Sequence, residues 1–100
     1  MKTPNSLGKP LTRFELGQVV ATPAAIEALA VSGEDALKFL RRHVAGDWGT
    51  VGAADSAAND RALAEGSRVL SAYRTAKGET IWIITEADRS ATTLLLPSDY

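Results

Sequence analysis

The spacing of apolar residues changes part-way along the chain. Between residues 22 and 66 apolar side chains recur three or four positions apart, which places them on one face of an α-helix. From residue 67 onward they form three short runs separated by polar turns, a pattern typical of β-strands. Helices followed by a group of strands predict an α+β domain, in which the helices pack on one face of a sheet.

The first part of the chain is predicted to contain two or three helices. Thr22 and Pro23 begin the first one, because a hydroxyl can cap the opening turn and proline fits the first helical position. Gly33 is predicted to end it. An alanine-rich stretch over about residues 55 to 65 is the third helix of the series.

The segment SGEDALKFLRRHV between them has the features of a well-capped helix. Ser32 is its predicted N-cap, and Gly46 is its predicted C-terminal stop. Three basic residues in the last turn, Arg41, Arg42 and His43, oppose the negative end of the helix dipole. The apolar stripe of this helix consists of Leu37, Leu40 and Val44, widened by Phe39.

The runs SRVLSAYRT, TIWIITEA and ATTLLLP are predicted to form an antiparallel meander, because only short turns separate them. Trp82 lies in the middle run, whose consecutive apolar residues cover both faces of the strand. A central strand, or a face used by a partner, accounts for this pattern. The segment RFELGQVVAT ahead of the helices is predicted to be a further short strand.

The predicted fold is therefore α+β, with two or three N-terminal helices preceded by a short strand. These helices pack on a C-terminal antiparallel β-meander of three or four strands. A chain of 100 residues has room for one hydrophobic core. We expect a single domain over residues 13–100, after a flexible arm formed by residues 1–12.

The composition excludes several classes of chemistry. No cysteine and a single histidine exclude disulfides, thiolate zinc sites, cysteine nucleophiles and a multi-histidine metal site within one chain, so neither metal nor cofactor is expected. The formal net charge of −1 gives no overall attraction for nucleic acid, which would need a local basic patch. The sequence contains no stretch that resembles a signal peptide or a membrane span. Together with the lack of cysteine, this favours a cytoplasmic protein without membrane contact.

Four residues are candidates for catalysis. His43 is the natural general base because its pKa lies near neutrality, and Asp47, four positions later, could orient its ring. Arg68 and Arg89 could hold a phosphate, the latter from the polar hairpin tip DRS. Structural interpretations stand beside these roles: dipole stabilisation for His43, capping of its own turn for Asp47, and ordinary turn chemistry around Arg89.

A second group of residues consists of candidates for binding. Arg68 and Arg74 share one face of the first meander strand and Tyr73 lies on the other, which resembles an RNA-contacting surface weakened by interspersed acidic residues. Trp48 is most simply a core residue beneath its loop, and its indole N–H needs a partner. The remaining candidates are a strand tryptophan and the hydroxyl groups around the second turn: Trp82, Ser90, Thr92 and Thr93.

The stretches FLRRHVAGDWG, AEGSRVLSAY and IWIITEADRSATTLLLPSDY resemble a family of small bacterial proteins carried on plasmids and integrated mobile elements. Its members are labelled plasmid-related or hypothetical, and some carry the name of a restriction–modification methylation subunit. The resemblance covers about Phe14 to Tyr100 and implies no particular activity. A methyltransferase needs a doubly wound α/β sheet with a glycine-rich turn after its first strand, and the predicted order of elements does not provide one.

In architecture the chain also resembles, more weakly, the barnase, EndoU, colicin-type and RelE-like ribonucleases, in which helices precede an antiparallel sheet. Such enzymes cleave RNA without metal, using side-chain acids and bases and arginines on the phosphate. This resemblance implies that His43 is the base and that Arg68, Arg89 and Thr92 or Thr93 contact the phosphate. Because a fold does not determine a function, the four catalytic candidates would have to converge in one cleft.

Three functions are therefore open. The incomplete catalytic set and the doubly apolar strand around Trp82 favour a non-catalytic module that binds a protein partner or forms a homodimer. The first alternative is a metal-independent ribonuclease or toxin-like enzyme. The second is a DNA-associated accessory factor of the mobile element.

Overall fold

The computed structural model describes residues 12–100, so the arm predicted over residues 1–12 lies, apart from Thr12, outside the described residues. The elements of the described range are β1 (Gln18–Ala21), α1 (Pro23–Ser32), α2 (Ala36–Val44), α3 (Ala53–Glu65), β2 (Val69–Arg74), β3 (Thr80–Thr85), β4 (Ala91–Leu95) and a short 3-10 helix (Pro97–Asp99). The α+β class is confirmed. β1 precedes the helices and lies within the segment RFELGQVVAT, which is predicted to be a short strand.

The strands form one mixed sheet in the order β1–β4–β3–β2. β2, β3 and β4 pair antiparallel with their neighbours in sequence, as the short turns predict. β1 instead lies parallel to β4, with Gln18 opposite Ala91 and Ala21 opposite Leu94. The prediction of an entirely antiparallel meander is therefore wrong for this strand. A parallel pair needs a long connection, and the helices that follow β1 provide its length.

The helix ends follow the predicted caps in α1 but not in α2. Thr22 caps α1, and its hydroxyl accepts a hydrogen bond from the amide three residues on (3.2 Å). The prediction of Ser32 as the cap of α2 is wrong, because Ser32 is the last residue of α1 and donates to the carbonyl of Leu29 (3.1 Å). The left-handed turn at Gly33 separates the two helices, and the carboxylate of Asp35 caps α2 instead.

The sheet has two unlike faces, which we call the helix face and the open face. α1 and α2 pack on the helix face, around a core of Ala25, Ala28, Leu29, Phe39, Leu40, Tyr73, Ile81, Ile83 and Leu94. Neither of these helices packs on the open face, to which strand alternation assigns Leu70, Ala72, Trp82, Ile84, Thr93 and Leu95. The middle strand is thus apolar on both faces, as its sequence indicates.

The outer edge of β2 is closed by groups from outside the sheet. The backbone of Ala72 donates to the carbonyl of Trp48 (3.1 Å) and accepts from the amide of Thr50 (2.7 Å). Further along the same edge, the side-chain amide of Asn59 on α3 forms both hydrogen bonds to the backbone of Leu70 (2.7 and 3.1 Å). Because an unpaired strand edge is a template for another chain, these contacts remove one edge of the sheet from association.

We expect Gly49→Ala to destabilise the fold strongly. Gly49 has a φ of +76°, and an added Cβ would lie 1.9 Å from the carbonyl oxygen of Ala72. Relief of that clash separates the loop from β2, so the free energy of unfolding in urea should fall by about 3 kcal/mol or more.

Gly33→Ala is the matched control for this substitution. Gly33 has a φ of +71°, but an added Cβ would meet nothing within 4 Å. Only the cost of the left-handed backbone remains, about 1 kcal/mol. Equal losses in the two variants would contradict the importance of the contact between Gly49 and β2.

Candidate functional site

His43 lies inside the protein, between α2 and the helix face of the sheet. It is fully buried. Its Nδ1 atom lies 2.6 Å from the hydroxyl of Ser71 on β2, and its Nε2 atom lies 2.9 Å from the hydroxyl of Thr85 on β3. Both ring nitrogens are therefore used by buried partners, and neither faces solvent.

The hydrogen bonds continue beyond Thr85 and thereby fix the tautomer of His43. Thr92 donates its only hydroxyl hydrogen to the carbonyl of Leu16 (2.7 Å), so in its contact with Thr85 (2.7 Å) it must accept. Thr85 therefore donates to Thr92 and accepts from Nε2–H of His43. Nδ1 is left as the acceptor of the Ser71 hydroxyl, so the ring is a neutral Nε2–H tautomer. We call these four side chains and the Leu16 carbonyl the polar chain.

The surroundings of the ring oppose its protonation. Burial, and to a smaller extent the positive charge of Arg89, lower the pKa of His43 to about 4. Phe14 and Trp48 pack against the ring at centroid distances of 5.1 and 5.9 Å, both edge-to-face. A ring that is neutral, enclosed and hydrogen-bonded at both nitrogens cannot take a proton from a substrate in this conformation.

Asp47 contacts neither nitrogen of His43. Its carboxylate lies 2.7 Å from Nε of Arg42 and accepts from the amide of Gly49 (3.2 Å), which is the turn-capping role. The hydrogen bond from Arg42 holds the pKa of Asp47 below its usual value. Trp48, the next residue, is 5% exposed and donates its indole N–H to Asp60 (3.1 Å). The prediction of a core residue beneath its loop is therefore confirmed.

Arg89 stabilises the end of α3. It is the only residue other than glycine in the described part of the chain with a positive φ, of 61°. Its guanidinium donates to the carbonyls of Ala62 (3.2 Å), Ser67 (2.6 Å) and Glu86 (3.0 Å), and it lies 5.4 Å from the ring centroid of Phe14. Ala62 lies in the last turn of α3, whereas Ser67 and Glu86 lie in the loops that follow α3 and β3, so this arginine joins the end of α3 to two loops and has a structural role.

Arg68 lies on the open side of the sheet, away from the polar chain. Its Nη1 donates to the hydroxyl of Tyr100 (3.0 Å), and the ring of Tyr100 meets that of Trp82 edge-on, with centroids 5.7 Å apart. Arg74 is exposed at the other end of β2. Tyr73 is buried on the helix face, where it donates to the carbonyl of Asp47 (2.6 Å).

The candidate hydroxyl groups near the second turn also lie in different environments. Thr92 is buried in the polar chain, whereas Thr93 is partly exposed on the open face. Ser90 lies in the turn, and its amide donates to the carboxylate of Asp88 (3.0 Å). The structure therefore brings His43 and Thr92 together, but it places Asp47, Arg68 and Arg89 in three other environments.

Ser71 and Thr85 are the polar partners that the sequence does not single out. Both alternate with buried apolar residues along their strands, and an inward-facing hydroxyl is a signal for a buried hydrogen bond. The contact of Arg68 with Tyr100 has no such signal. It joins residues 32 positions apart through side chains alone.

Comparisons with known proteins do not indicate a function, so the functional argument depends on the structure of the site. No protein-family model, no curated protein and no solved structure matches the chain significantly. In residues 12–100, no helix combines the length and apolarity required to cross a bilayer. The same residues contain no group of three or more histidine, aspartate or glutamate side chains placed to hold a metal ion.

The pKa of His43 predicts a pH dependence of stability. The pKa falls from 6.5 in the unfolded chain to about 4 in the fold, so between these values the unfolded state binds more protons. The contribution of the neutral ring to the free energy of unfolding should be fully present above about pH 7. It should fall by about 3 kcal/mol as the pH drops from 6.5 to 4. Urea titrations across this range measure the loss.

Because His43 is the only histidine, its ring can be followed by NMR without assignment. We expect a midpoint near pH 4 in the folded protein; a midpoint near 6.5 would contradict the burial of the ring. The variant His43→Gln keeps a donor and an acceptor but does not titrate, so its stability should change little between pH 6.5 and 4.

Two adjacent threonines provide a matched test of the polar chain. Thr92→Val removes the hydroxyl that joins Thr85 to the carbonyl of Leu16, leaving buried groups unsatisfied, and should cost about 1–3 kcal/mol in chemical denaturation. Thr93→Val is the same change on the open face and should stay within about 0.5 kcal/mol of the wild type. Similar stabilities of the two variants would show that the polar chain contributes little.

Proposed function

We propose that this chain is a non-catalytic binding module that accepts a β-strand along the outer edge of β1, and that a second copy of the chain supplies this strand. The observation that supports the proposal is the contrast between the two edges of the sheet. The edge at β2 is closed by Asn59 and by the loop of residues 48–50, whereas no strand in residues 12–100 pairs with the outer edge of β1.

The backbone of β1 offers hydrogen-bonding groups in the outward direction. Gln18 and Thr22 donate to carbonyls on the β4 side, those of Ser90 and Leu94 (both 3.0 Å). Since alternate residues of a strand point their amides and carbonyls to opposite sides, the groups of residues 19 and 21 point away from β4. An edge of this kind is a template for strand addition.

The side chains of β1 support the same proposal. Val19 and Val20 are each 43% exposed. Natural edge strands are commonly protected by lysine, proline or a bulge, and Gln18–Ala21 has none of these. Strand addition would cover both valines as well as the unpaired backbone groups.

A second copy fits this edge by symmetry. Two β1 strands related by a twofold axis run antiparallel, and an axis beside Val20 places residue 19 of one copy opposite residue 21 of the other. Residues 19 and 21 carry the outward-directed groups, so they can exchange backbone hydrogen bonds. The two Val20 side chains then meet at the axis as a close cross-strand pair on the open face.

The non-catalytic part of the proposal rests on the state of His43. The ribonuclease alternative uses this residue as a base, but its ring is enclosed and both of its nitrogens are bonded within the protein. Arg68 and Arg89 bind Tyr100 and the end of α3, respectively, and do not share a cleft with the histidine. For the same reason Arg68 and Arg89 do not form a shared basic patch of the kind that the DNA-binding alternative needs.

Sedimentation analysis of charge variants at Val20 tests the proposed pairing. The wild-type chain should form a dimer with a dissociation constant on the order of 10–100 µM, because a four-residue edge buries less area than a standard interface. Val20→Lys should weaken dimerisation at least about tenfold, since two like charges would meet at the axis. Val31→Lys, on an exposed apolar residue of α1, should leave the dimer unchanged.

A mixture of Val20→Lys and Val20→Glu chains tests the register itself. Each variant alone should be monomeric, and the mixture should recover a dimer because opposite charges then face each other at the axis. A wild-type chain that stays monomeric up to about 200 µM would refute self-association. Dissociation by Val31→Lys to the same extent would locate the contact elsewhere.

A further inference from the structure

A cavity of about 310 Å³ lies between α3 and the open face of the sheet. Its lining consists of Asp55, Ala58, Asn59, Arg68, Leu70 and Trp82. The volume is at the lower end of the range for small-molecule pockets, about 300–1,000 Å³, so it suits one small molecule rather than an extended chain. The polar chain and the edge of β1 contribute nothing to it.

Two opposite charges border this cavity without meeting. Asp55 lies in the first turn of α3, and Arg68 directly precedes β2. The ion pairs within residues 12–100 are Lys38–Glu34 and Arg42–Asp47, so no nitrogen of Arg68 lies within 4.0 Å of the Asp55 carboxylate. A negative and a positive group therefore face the same space with a gap between them.

Part of the cavity lining is apolar, and this part is held in place. Trp82 is packed by the ring of Tyr100, whose hydroxyl in turn accepts from Arg68. The amide of Asn59 is committed to the backbone of Leu70 and fixes α3 against β2. Neither the carboxylate of Asp55 nor the indole N–H of Trp82 has a hydrogen-bond partner in residues 12–100.

We propose that this cavity binds a free α-amino acid with an apolar side chain, as the zwitterion. The ammonium group of the ligand donates to the carboxylate of Asp55, and the ligand carboxylate accepts from Arg68, whose planar fork suits two parallel hydrogen bonds. The apolar side chain lies against Trp82 and Leu70, where it loses contact with water. A ligand that carries both charges close together satisfies both ends of the cavity at once, whereas a peptide terminus carries only one of them.

The proposal is independent of strand pairing at β1. β1 and β2 form opposite edges of the sheet, and the cavity lies at the β2 side. The two proposals can therefore fail separately: amino-acid binding is measurable on a monomer, and dimerisation is measurable without a ligand.

NMR titration with leucine, following the indole N–H of Trp82, tests the site. Asp55 and Arg68 are both exposed, so we expect saturable binding at low millimolar concentration. N-acetyl-leucine lacks the ammonium charge and leucinamide lacks the carboxylate, so each should bind at least about tenfold more weakly than leucine. Equal binding of the three compounds, or no shift of the indole signal up to about 50 mM leucine, would overturn the proposal.

Variants assign each end of the ligand to its residue. Asp55→Asn should weaken leucine about tenfold and leave N-acetyl-leucine unchanged, because that compound makes no ionic contact with Asp55. Arg68→Gln should weaken leucine more than leucinamide, because the lost contact with Tyr100 affects both compounds whereas the lost ionic contact affects leucine alone. Glu65→Gln and Arg74→Gln remove the same charges elsewhere on α3 and β2 and should bind leucine as the wild type does. Loss of affinity in these controls, or uniform weakening of all compounds by Asp55→Asn and Arg68→Gln, would count against the assigned contacts.

Discussion

The polar chain joins one helix to three strands through buried side chains, and it ends at the half-buried segment ahead of β1. It begins at Ser71, passes through both nitrogens of His43, and ends through Thr85 and Thr92 at the carbonyl of Leu16. Thr85 and Thr92 each donate one hydrogen bond and accept one, and Ser71 donates to a single partner. Loss of any member therefore leaves a neighbouring polar group without a partner away from water. The placement of α2, and of the loop that follows it, depends on this arrangement.

The polar chain also fixes how the strands pair. Thr85 lies opposite both Val69 on β2 and Thr92 on β4. A shift of β2 by one residue would turn the Ser71 hydroxyl to the open face and leave Nδ1 of His43 without its partner. Apolar residues alone would specify this register poorly, because β3 is apolar on both faces. A neutral histidine suits the task, since it donates at one nitrogen and accepts at the other.

Much of the fold follows from local sequence signals, and the exceptions have identifiable causes. The cap at Thr22 and the three C-terminal strands need only neighbouring residues, so the sequence predicts them. The direction of β1 depends on where the helices return the chain, which four residues cannot encode. The sequence does not distinguish a buried His43 from an exposed one, because the last turn of α2 both ends the helix and faces the core. The predicted stripe of that helix includes Leu37, which is 52% exposed, and this rotates the expected face away from the histidine.

The candidate sites are less predictable than the fold. Arg89 contacts carbonyls of α3 and of two loops, and Arg68 contacts Tyr100, so both arginines meet partners far away in the sequence. No periodic pattern encodes such contacts. The cavity beside Asp55 likewise exists only because α3 docks on β2.

The amide of Asn59 has a consequence for the size of any assembly built by this sheet. A sheet with two open edges can add copies at both ends and grow into a filament. Here the side chain of Asn59 satisfies the donor and the acceptor of Leu70, as a further strand would do. If copies pair through β1 as proposed, growth would therefore terminate after one addition, because Asn59 and the loop of residues 48–50 together close the other edge.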